Sequence, residues 1–364
     1  MLNNNRLLNL LLVMLLLTVA ACTAKPASPA TPTVPPLARE LVFLDWAGDM
    51  PQPVLDAFSA EYGVKVSYLT YESQEEAIEN IKAGKAYDVV VMESRFLPLL
   101  AQAGLLAEID YRYVPNFKNV SANFRDLAYD PGNRYSVPFN WGTTGLLVRS
   151  DLVTEPVKRW ADLWDKRYAG RVALWAGQRR EVLALTLKSL GYSANSETPA
   201  ELEAALKRLI DLKPNLLFIE DYDPVTSATM LASGKAVIAM GYAGDMLRAR
   251  ELKLTTVQYI LPEEGALLWG DNFIIPANSA SKYTAELFLD FLLRPKISAQ
   301  ITNLNKYPIP NAAAGPFIDP EISSDPVIFP PDAALKSGQI IMPLSATGQK
   351  LYDDIWARFM AAGR

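Results

Sequence analysis

Residues 41–45 have the sequence Leu-Val-Phe-Leu-Asp, residues 64–69 are Val-Lys-Val-Ser-Tyr-Leu, and residues 87–91 are Tyr-Asp-Val-Val-Val. Each stretch is a short run rich in apolar and β-branched side chains, which is typical of a buried strand. Residues 51–62 and 73–82, which lie between these stretches, have the spacing and end signals of helices. Alternating strands and helices predict a mainly parallel sheet flanked by helices, and therefore an α/β fold.

The same alternation continues over the rest of the chain. Predicted strands cover residues 144–149, 171–175, 235–240 and 272–276, and predicted helices cover residues 96–103, 180–190, 199–212, 281–293 and 349–360. Two α/β blocks of comparable size, without a long linker between them, indicate two lobes that face each other. Small ligands bind preferentially in clefts of this kind, so we expect a binding site between the lobes.

The N-terminus predicts export and lipidation. Arg6 is followed by an apolar run, and Val19-Ala20-Ala21-Cys22 has the form of a bacterial lipoprotein signal, in which the thiol takes the lipid. The run is shorter than the roughly 20 apolar residues that a transmembrane helix needs. We therefore expect residues 1–21 to be a signal peptide and Cys22 to carry the lipid. An uncleaved N-terminal anchor is the alternative.

Residues 22–39 are expected to tether the lipid to the folded chain. Thr23 to Pro36 are nearly all Ala, Pro, Thr and Ser, a composition too poor in large apolar side chains to fold. Structure is expected to begin near Glu40. Both interpretations of the N-terminus place the folded chain in the cell envelope, outside the cytoplasm, in the periplasm or at the outer face of the cytoplasmic membrane.

The composition excludes most secreted hydrolases. The chain has no histidine, and Cys22 is its only cysteine, so Ser-His and Cys-His triads, His or Cys zinc sites and internal disulfides are impossible. Catalysis by carboxylates alone, as in glycosidases, is left open. The net charge of −5 becomes −6 once Arg6 leaves with the signal peptide, which argues against nucleic acid and slightly favours cationic partners. No cofactor is expected.

The tripeptide Trp269-Gly270-Asp271 is the clearest candidate for binding chemistry. In an extended segment, residues two apart point to the same side, so the indole and the carboxylate would share one space. An aromatic face attracts an alkylammonium group by about 0.5–2 kcal/mol, and a carboxylate offsets the desolvation of its charge. The alternative is a core tryptophan beside a surface aspartate.

Other strand ends offer the same combination of aromatic and acidic side chains. Residues 45–49, Asp-Trp-Ala-Gly-Asp, follow the first strand, and Tyr242 follows the strand at residues 235–240. Glu181 opens a predicted helix after the strand at residues 171–175. Ligands of open α/β sheets bind at the carboxyl ends of the strands, so these side chains are candidates for one site.

From Leu41 to Arg364 the chain resembles the extracytoplasmic spermidine/putrescine-binding proteins of ABC transporters. Many ordered motifs carry the resemblance: Thr70–Ser73, Tyr87–Val91, Tyr135–Gly145, Trp160–Trp164, Arg180–Val182, Leu190–Ser193, Pro262–Gly265, Trp269–Asp271, Ile275–Asn278, Phe291–Pro295 and Tyr307–Asn311. Each motif alone is weakly specific, but their number and order together are specific for the family.

The resemblance implies a two-lobed periplasmic-binding-protein-like fold that closes over a linear polyamine held in the cleft between the lobes. Lobe 1 would comprise residues 40–143 plus 272–315, and lobe 2 residues 144–271 plus 316–364. It also implies a monomer without enzymatic activity that delivers its ligand to the transmembrane subunits of an ABC permease.

Roles carry over from the family to particular residues. Trp46 and Trp269 would be aromatic walls, and Tyr242 stands where the family often has a tryptophan. Glu181 and Asp271 would be the acids that pair with ammonium groups. Asp271 is the strongest transfer because its whole flanking motif is intact.

The sequence also departs from the family. Asp49 and Glu93 stand where the family commonly has Tyr and Ser, and both are candidate replacement acids. Arg95 is foreign to a site for cations: it would pair with Glu93 or Asp49, bind a ligand carboxylate, or be a solvated rim residue. Gln178 stands where the family would have an acid, and Ile341 stands where the family would have a glutamine.

These observations favour a binding receptor for a putrescine-like or spermidine-like amine. The alternative in the same role is a receptor for an amphoteric amine, such as an amino-acid derivative or opine, if Arg95 faces the cleft. A sensor that signals without transport has the same sequence signature. The alternative of another class is a secreted glycosidase that uses Asp49 and Asp271 as its carboxylates.

Overall fold

A computed structural model describes residues 34–219 and 224–363, and a compact unit begins at Leu37. The predicted signal peptide, Cys22 and most of the predicted tether lie outside the described residues. Regular structure begins at Glu40, as the composition predicts. No helix within the described residues is long and apolar enough to cross a membrane.

In the described part of the chain, ten strands form one mixed sheet. They are β1 (Glu40–Trp46), β2 (Lys65–Tyr71), β3 (Val89–Glu93), β4 (Ser136–Arg149), β5 (Val172–Trp175), β6 (Leu216–Ile219), β7 (Ile238–Tyr242), β8 (Val257–Ile260), β9 (Leu267–Ile274) and β10 (Gln339–Ile340).

Helices connect these strands. They are α1 (Gln52–Tyr62), α2 (Gln74–Lys82), α3 (Leu97–Gln102), α4 (Arg179–Ser189), α5 (Pro199–Leu212), α6 (Pro224–Ser233), α7 (Ala243–Glu251), α8 (Lys282–Leu292), α9 (Pro295–Asn305), α10 (Pro320–Ser323), α11 (Asp332–Leu335) and α12 (Ala346–Ala361). Helix α2 begins as its sequence predicts, because the Glu76 N–H donates to Ser73 Oγ at 3.1 Å. Pro295 marks the end of one predicted helix and is also the first residue of α9. A helix tolerates proline at this position, because the N–H groups of its first turn have no partner within the helix.

The strand order is β2-β1-β3-β9-β4-β7-β5-β6, with β8 paired to β4 and β10 to β9. Strands β1, β2 and β3 run parallel, and so do β5, β6 and β7, as the β-α alternation predicts. The middle of the sheet is not parallel: β4 and β9 are antiparallel to each other, β4 is antiparallel to β7, and β9 is antiparallel to β3.

Strand β4 is longer than its predicted part, residues 144–149, because it also includes Ser136–Thr143. Pro138 lies inside it, and a proline normally argues against a central strand. The pairing with β9 shifts register between Pro138 and Trp141, and this irregularity accommodates the proline.

The buried apolar side chains form separate clusters on the two sides of β4 and β9. One large cluster takes its buried residues from 41–139 and 273–309, including Phe43, Phe58 and Phe288. The other takes its residues from 146–267 and 341–359, including Trp160 and Trp175. We call these the first core and the second core. Strands β4 and β9 contribute to both, so they join the two.

Candidate functional site

The predicted binding residues lie at strand ends and in the loops that follow them. Trp46 ends β1, Asp49 lies in the next turn, Glu93 ends β3, Arg95 lies in a 3-10 turn after it, Glu181 lies in the first turn of α4, Tyr242 ends β7, and Trp269 and Asp271 lie in β9. Glu93 is the register partner of Asp271, so the ends of β3 and β9 bring these two acids side by side.

Three aspartates form an acidic group, which we define as Asp45, Asp49 and Asp271. Asp45 is 0% exposed and Asp271 is 7% exposed. Within residues 34–219 and 224–363, no group forms a hydrogen bond or an ion pair with the Asp271 carboxylate. The described acids form no cluster arranged to hold a metal ion. The acidic group is therefore a buried concentration of negative charge that forms no ion pair among the described residues, although Arg95 acts on Asp271 at longer range.

Local hydrogen bonds fix the other two acids. The Trp46 N–H donates to Asp45 Oδ1 at 2.7 Å, while Asp45 Oδ2 is buried without a hydrogen-bond partner among the described residues. Asn140 Nδ2 donates to Asp49 Oδ2 at 3.2 Å, and Asn305 Nδ2 donates to the Asp49 carbonyl at 2.8 Å. A buried carboxylate oxygen without a donor is costly, and a donor supplied by a ligand would offset that cost.

Burial and mutual repulsion raise the pKa values of this group. Burial raises the pKa of Asp49 to about 6, against a hydrogen bond from Asn140 that lowers it. Burial, with the charges of Asp49 and Asp271, holds the pKa of Asp45 well above its ordinary range. Burial, with the charges of Glu93 and Asp49, does the same to the pKa of Asp271, although Arg95 opposes it. A cation bound at the site would favour the ionised form of each carboxylate and so lower its pKa.

Arg95 is the cation of a second group, the arginine triad, which we define as Glu93, Arg95 and Glu181. Its Nε lies 2.9 Å from Glu93 Oε2, an ion pair whose angle does not meet hydrogen-bond geometry. Its Nη1 lies 3.9 Å from Glu181 Oε1. Burial lowers the pKa of Arg95, but the charges of Glu93 and Glu181 outweigh it and raise this pKa above its ordinary value. Arg95 is therefore a charged, partly buried member of the site.

Aromatic rings surround the acids. The Trp269 ring contacts Tyr242 at 6.1 Å and Tyr307 at 5.7 Å between centroids, both edge to face. The Trp46 ring meets Tyr71 edge to face at 4.6 Å. Gly142, the register partner of Trp269, has no room for a side chain, because a Cβ there would collide with the indole. The Trp269 indole therefore packs directly against the backbone of Gly142.

Tyr71 and Tyr307 lie beside the candidate site but are not among the residues predicted from the sequence, whereas Asp45 is, as part of residues 45–49. Asp49, Asp271 and Asp45 all raise the pKa of Tyr71 in addition to burial, so Tyr71 lies beside the whole acidic group. Asp45 ends a predicted strand, and this position made it a candidate. Alternation along β1 does not reveal that its carboxylate is fully buried, because burial depends on what packs over the strand end.

Two departures from the family have structural positions. Gln178 immediately precedes α4, one turn ahead of Glu181, and brings no charge. Ile341 is 3% exposed and belongs to the second core. Neither position therefore contributes an acid to the site.

The raised pKa values predict that binding of an ammonium ion is coupled to proton release. A bound cation favours ionised carboxylates, so the affinity should rise with pH through about 6, by up to about tenfold per unit for one coupled proton. Calorimetric titrations of putrescine at pH 5.5 and 7.5, in buffers with different ionisation enthalpies, measure both the affinity and the protons released. Asp49→Asn should flatten the pH dependence; an affinity that is equal at both pH values would contradict this coupling.

Comparisons with known proteins show the family of the chain. The profile of the family described as bacterial extracellular solute-binding protein matches residues 54–330. The chain is 34% identical to a spermidine/putrescine-binding periplasmic protein of Escherichia coli, over 89% of this chain and 92% of that protein. It is 31% identical to a putrescine-binding periplasmic protein of Pseudomonas aeruginosa, over 86% of this chain and 90% of that protein.

Solved structures share the fold. The substrate-binding protein of a spermidine/putrescine ABC transporter from Streptococcus pneumoniae superposes with a TM-score of 0.80 at 28% identity, covering 89% of this chain and 99% of that one. A lipoprotein of Treponema pallidum superposes with a TM-score of 0.78 at 27% identity, covering 88% of this chain and 99% of that one. The chain therefore has the two-lobed α/β fold of periplasmic binding proteins.

Proposed function

The chain belongs to the bacterial extracellular solute-binding proteins, and we propose that it captures a polyamine of the putrescine or spermidine class for the permease of an ABC importer. The observation that carries this proposal is the acidic group, in which buried carboxylates lie among aromatic rings and form no ion pair with any described residue. The names of the similar proteins are in agreement with a ligand of this class.

The chemistry of the site suits an alkylammonium ion. An ammonium group entering the site loses its hydration, and the Asp271 carboxylate replaces water as its partner. The Trp46 and Trp269 indoles offer apolar faces to the methylene groups and attract the charge by about 0.5–2 kcal/mol each. Each methylene removed from water contributes about 0.8 kcal/mol. A linear amine combines both requirements in one molecule.

Capture is proposed to occur by closure of two lobes. Lobe 1 consists of residues 40–143 plus 272–315, and lobe 2 of residues 144–271 plus 316–364. The separate first and second cores support this division, since each side has its own packed interior. Strands β4 and β9 run through both sides and are the natural hinge elements. A rigid-body closure around such strands buries the ligand without repacking either core.

The protein is proposed to bind its solute and leave it unchanged. No described observation favours a glycosidase over a receptor, because the acids are accounted for as partners of a cation. The amphoteric ligand considered above requires an arginine available for a carboxylate, whereas Arg95 already pairs with Glu93 at 2.9 Å. This pairing supports a plain amine as the ligand.

The protein is proposed to be located at the outer surface of a membrane. A lipid on Cys22 would hold the receptor near its permease, and residues 23–36 would let it move and dock. A single acyl chain binds membranes only marginally, so several acyl chains are expected on this cysteine. The similarity to a lipoprotein of Treponema pallidum supports lipidation. The receptor is proposed to act as a monomer.

Thermal unfolding of the purified protein tests the proposed ligand class. A ligand that binds only the native state at about 100 times its Kd adds about 2.7 kcal/mol of stability. Putrescine, cadaverine, spermidine and spermine are compared with lysine, γ-aminobutyrate and simple sugars. We expect the amines without carboxylates to raise Tm and the other compounds to leave it unchanged. A rise with amino acids alone, or turnover of a glycoside, would overturn the proposal.

A further inference from the structure

The two charged groups of the site differ in whether they form ion pairs. The acidic group forms none, and Asp45 Oδ2 is buried without a hydrogen-bond partner, among the described residues. The arginine triad has Arg95, which lies 2.9 Å from Glu93 and 3.9 Å from Glu181. Glu181 Oε2 is likewise buried without a hydrogen-bond partner among the described residues, so the two groups differ in their ion pairs: Glu93 and Glu181 lie near a guanidinium, and the three aspartates do not.

We propose that Arg95 is a resident cation that stands in place of one ligand ammonium group, so that this site selects diamines over longer polyamines. The inference rests on the proposed function and specifies its substrate class. The acidic group receives the ammonium groups of the diamine, and the guanidinium of Arg95 neutralises Glu93, which lies beside Asp271, and Glu181. Arg95 thus determines the length of the ligand.

Charge balance supports this assignment. Among the described residues, the site brings together five carboxylates, from Asp45, Asp49, Asp271, Glu93 and Glu181, and one guanidinium that forms ion pairs with any of them, from Arg95. A second guanidinium, from Arg180, interacts with Glu93 and Glu181 at longer range and donates to the Ala194 carbonyl and to Asn195 Oδ1. Arg95 forms ion pairs with Glu93 and Glu181, whereas the three aspartates of the acidic group have no ion-pair partner among the described residues. A third ammonium group would have to approach Glu93 or Glu181 past a guanidinium of its own sign. Partners of like charge at such distances are rejected strongly in a partly buried site.

The chain around Arg95 holds its side chain in place. Ser94 Oγ donates to the Gly270 carbonyl at 2.8 Å and accepts from Asn272 Nδ2 at 3.0 Å, which ties the 3-10 turn to β9. The guanidinium also lies over the Phe96 ring, 4.8 Å from its centroid. A ligand would have to break the Glu93 ion pair and this ring contact to move Arg95 aside, so occupancy by the arginine is the more stable arrangement.

Calorimetric titration of putrescine and spermidine into three site forms and one control tests the proposal. The forms are the unaltered protein, Arg95→Gln and the double variant Glu93→Gln/Arg95→Gln. Arg112→Gln, which removes an arginine whose side chain is 77% exposed, controls for the change in net charge. Circular dichroism confirms folding, and the double variant keeps the site's net charge, so it guards against a fold lost through an unpaired Glu93.

The unaltered protein and Arg112→Gln should prefer putrescine by about tenfold or more. Arg95→Gln frees Glu93 and Glu181 and should gain affinity for spermidine by about tenfold, whereas the double variant, which keeps only Glu181, should gain less. Equal or tighter binding of spermidine to the unaltered protein would overturn the inference while leaving the proposed function intact. Tight binding of γ-aminobutyrate that is lost in Arg95→Gln would assign Arg95 to a ligand carboxylate instead. Failure of every amine to bind would overturn both proposals.

Discussion

Asp271→Asn is expected to weaken the binding of putrescine by about 2–5 kcal/mol, because it removes the carboxylate that offsets the desolvation of a buried ammonium group. Asp271 is 7% exposed, so water cannot replace the lost partner. The substitution keeps the shape of the side chain and changes only its charge and one acceptor. Calorimetric titration at pH 7.5 measures the loss directly.

The free protein should not be destabilised by this substitution. Burial raises the pKa of Asp271 above the ordinary pKa of an aspartate. At pH values above that ordinary pKa, ionisation of Asp271 costs free energy in the native state, and an uncharged amide avoids this cost. Asp56→Asn, which changes an exposed aspartate on α1, is the matched control and should leave affinity unchanged. An Asp271→Asn protein that binds putrescine as tightly as the control would remove Asp271 from the site.

Trp269→Ala is expected to weaken the binding of putrescine by about 2–3 kcal/mol. The loss combines about 0.5–2 kcal/mol of cation–π attraction with the contact of one or two methylene groups at about 0.8 kcal/mol each. The side chain also packs against Tyr242 and Tyr307, so its removal leaves those rings without their common neighbour. Calorimetric affinity and Tm are measured together.

Trp269→Phe keeps an aromatic ring but makes it smaller. It should lose about half as much affinity as Trp269→Ala, because a smaller aromatic face remains. Trp356→Ala is the control for deleting a partly buried tryptophan elsewhere, since Trp356 packs on Phe359 in α12. The control should lower Tm and leave the affinity unchanged. If Trp269→Ala and Trp356→Ala lower affinity equally, the effect of Trp269 is one of stability and not of ligand contact.

Much of the fold could be predicted from local sequence. Strands β1, β2, β3 and β5 and helices α1, α2 and α5 lie within a few residues of their predicted positions, because their apolar periods are strong and their ends carry caps, glycines or prolines. The part of strand β4 that contains Pro138 and Asn140 was not predicted, because the sequence there is typical of a loop. Its extended form there depends on pairing with β9, which is a contact between distant parts of the chain.

The site could be predicted only in part, for the same reason. The Trp269–Asp271 motif combines an aromatic ring and an acid within three residues, so local sequence was enough to suggest an ammonium partner. The pairing of Arg95 with Glu93 was one of several open possibilities, because it depends on the turn after β3. The full burial of Asp45 depends on packing over the end of β1 and has no local signal.

A crystal structure of the protein with putrescine tests the central claim most directly. The account predicts one ammonium nitrogen within hydrogen-bonding distance of an Asp271 carboxylate oxygen, with the methylene chain against the Trp269 indole and the Arg95–Glu93 ion pair intact. An amine bound elsewhere, or one that leaves the Asp271 carboxylate without a cation, would contradict it.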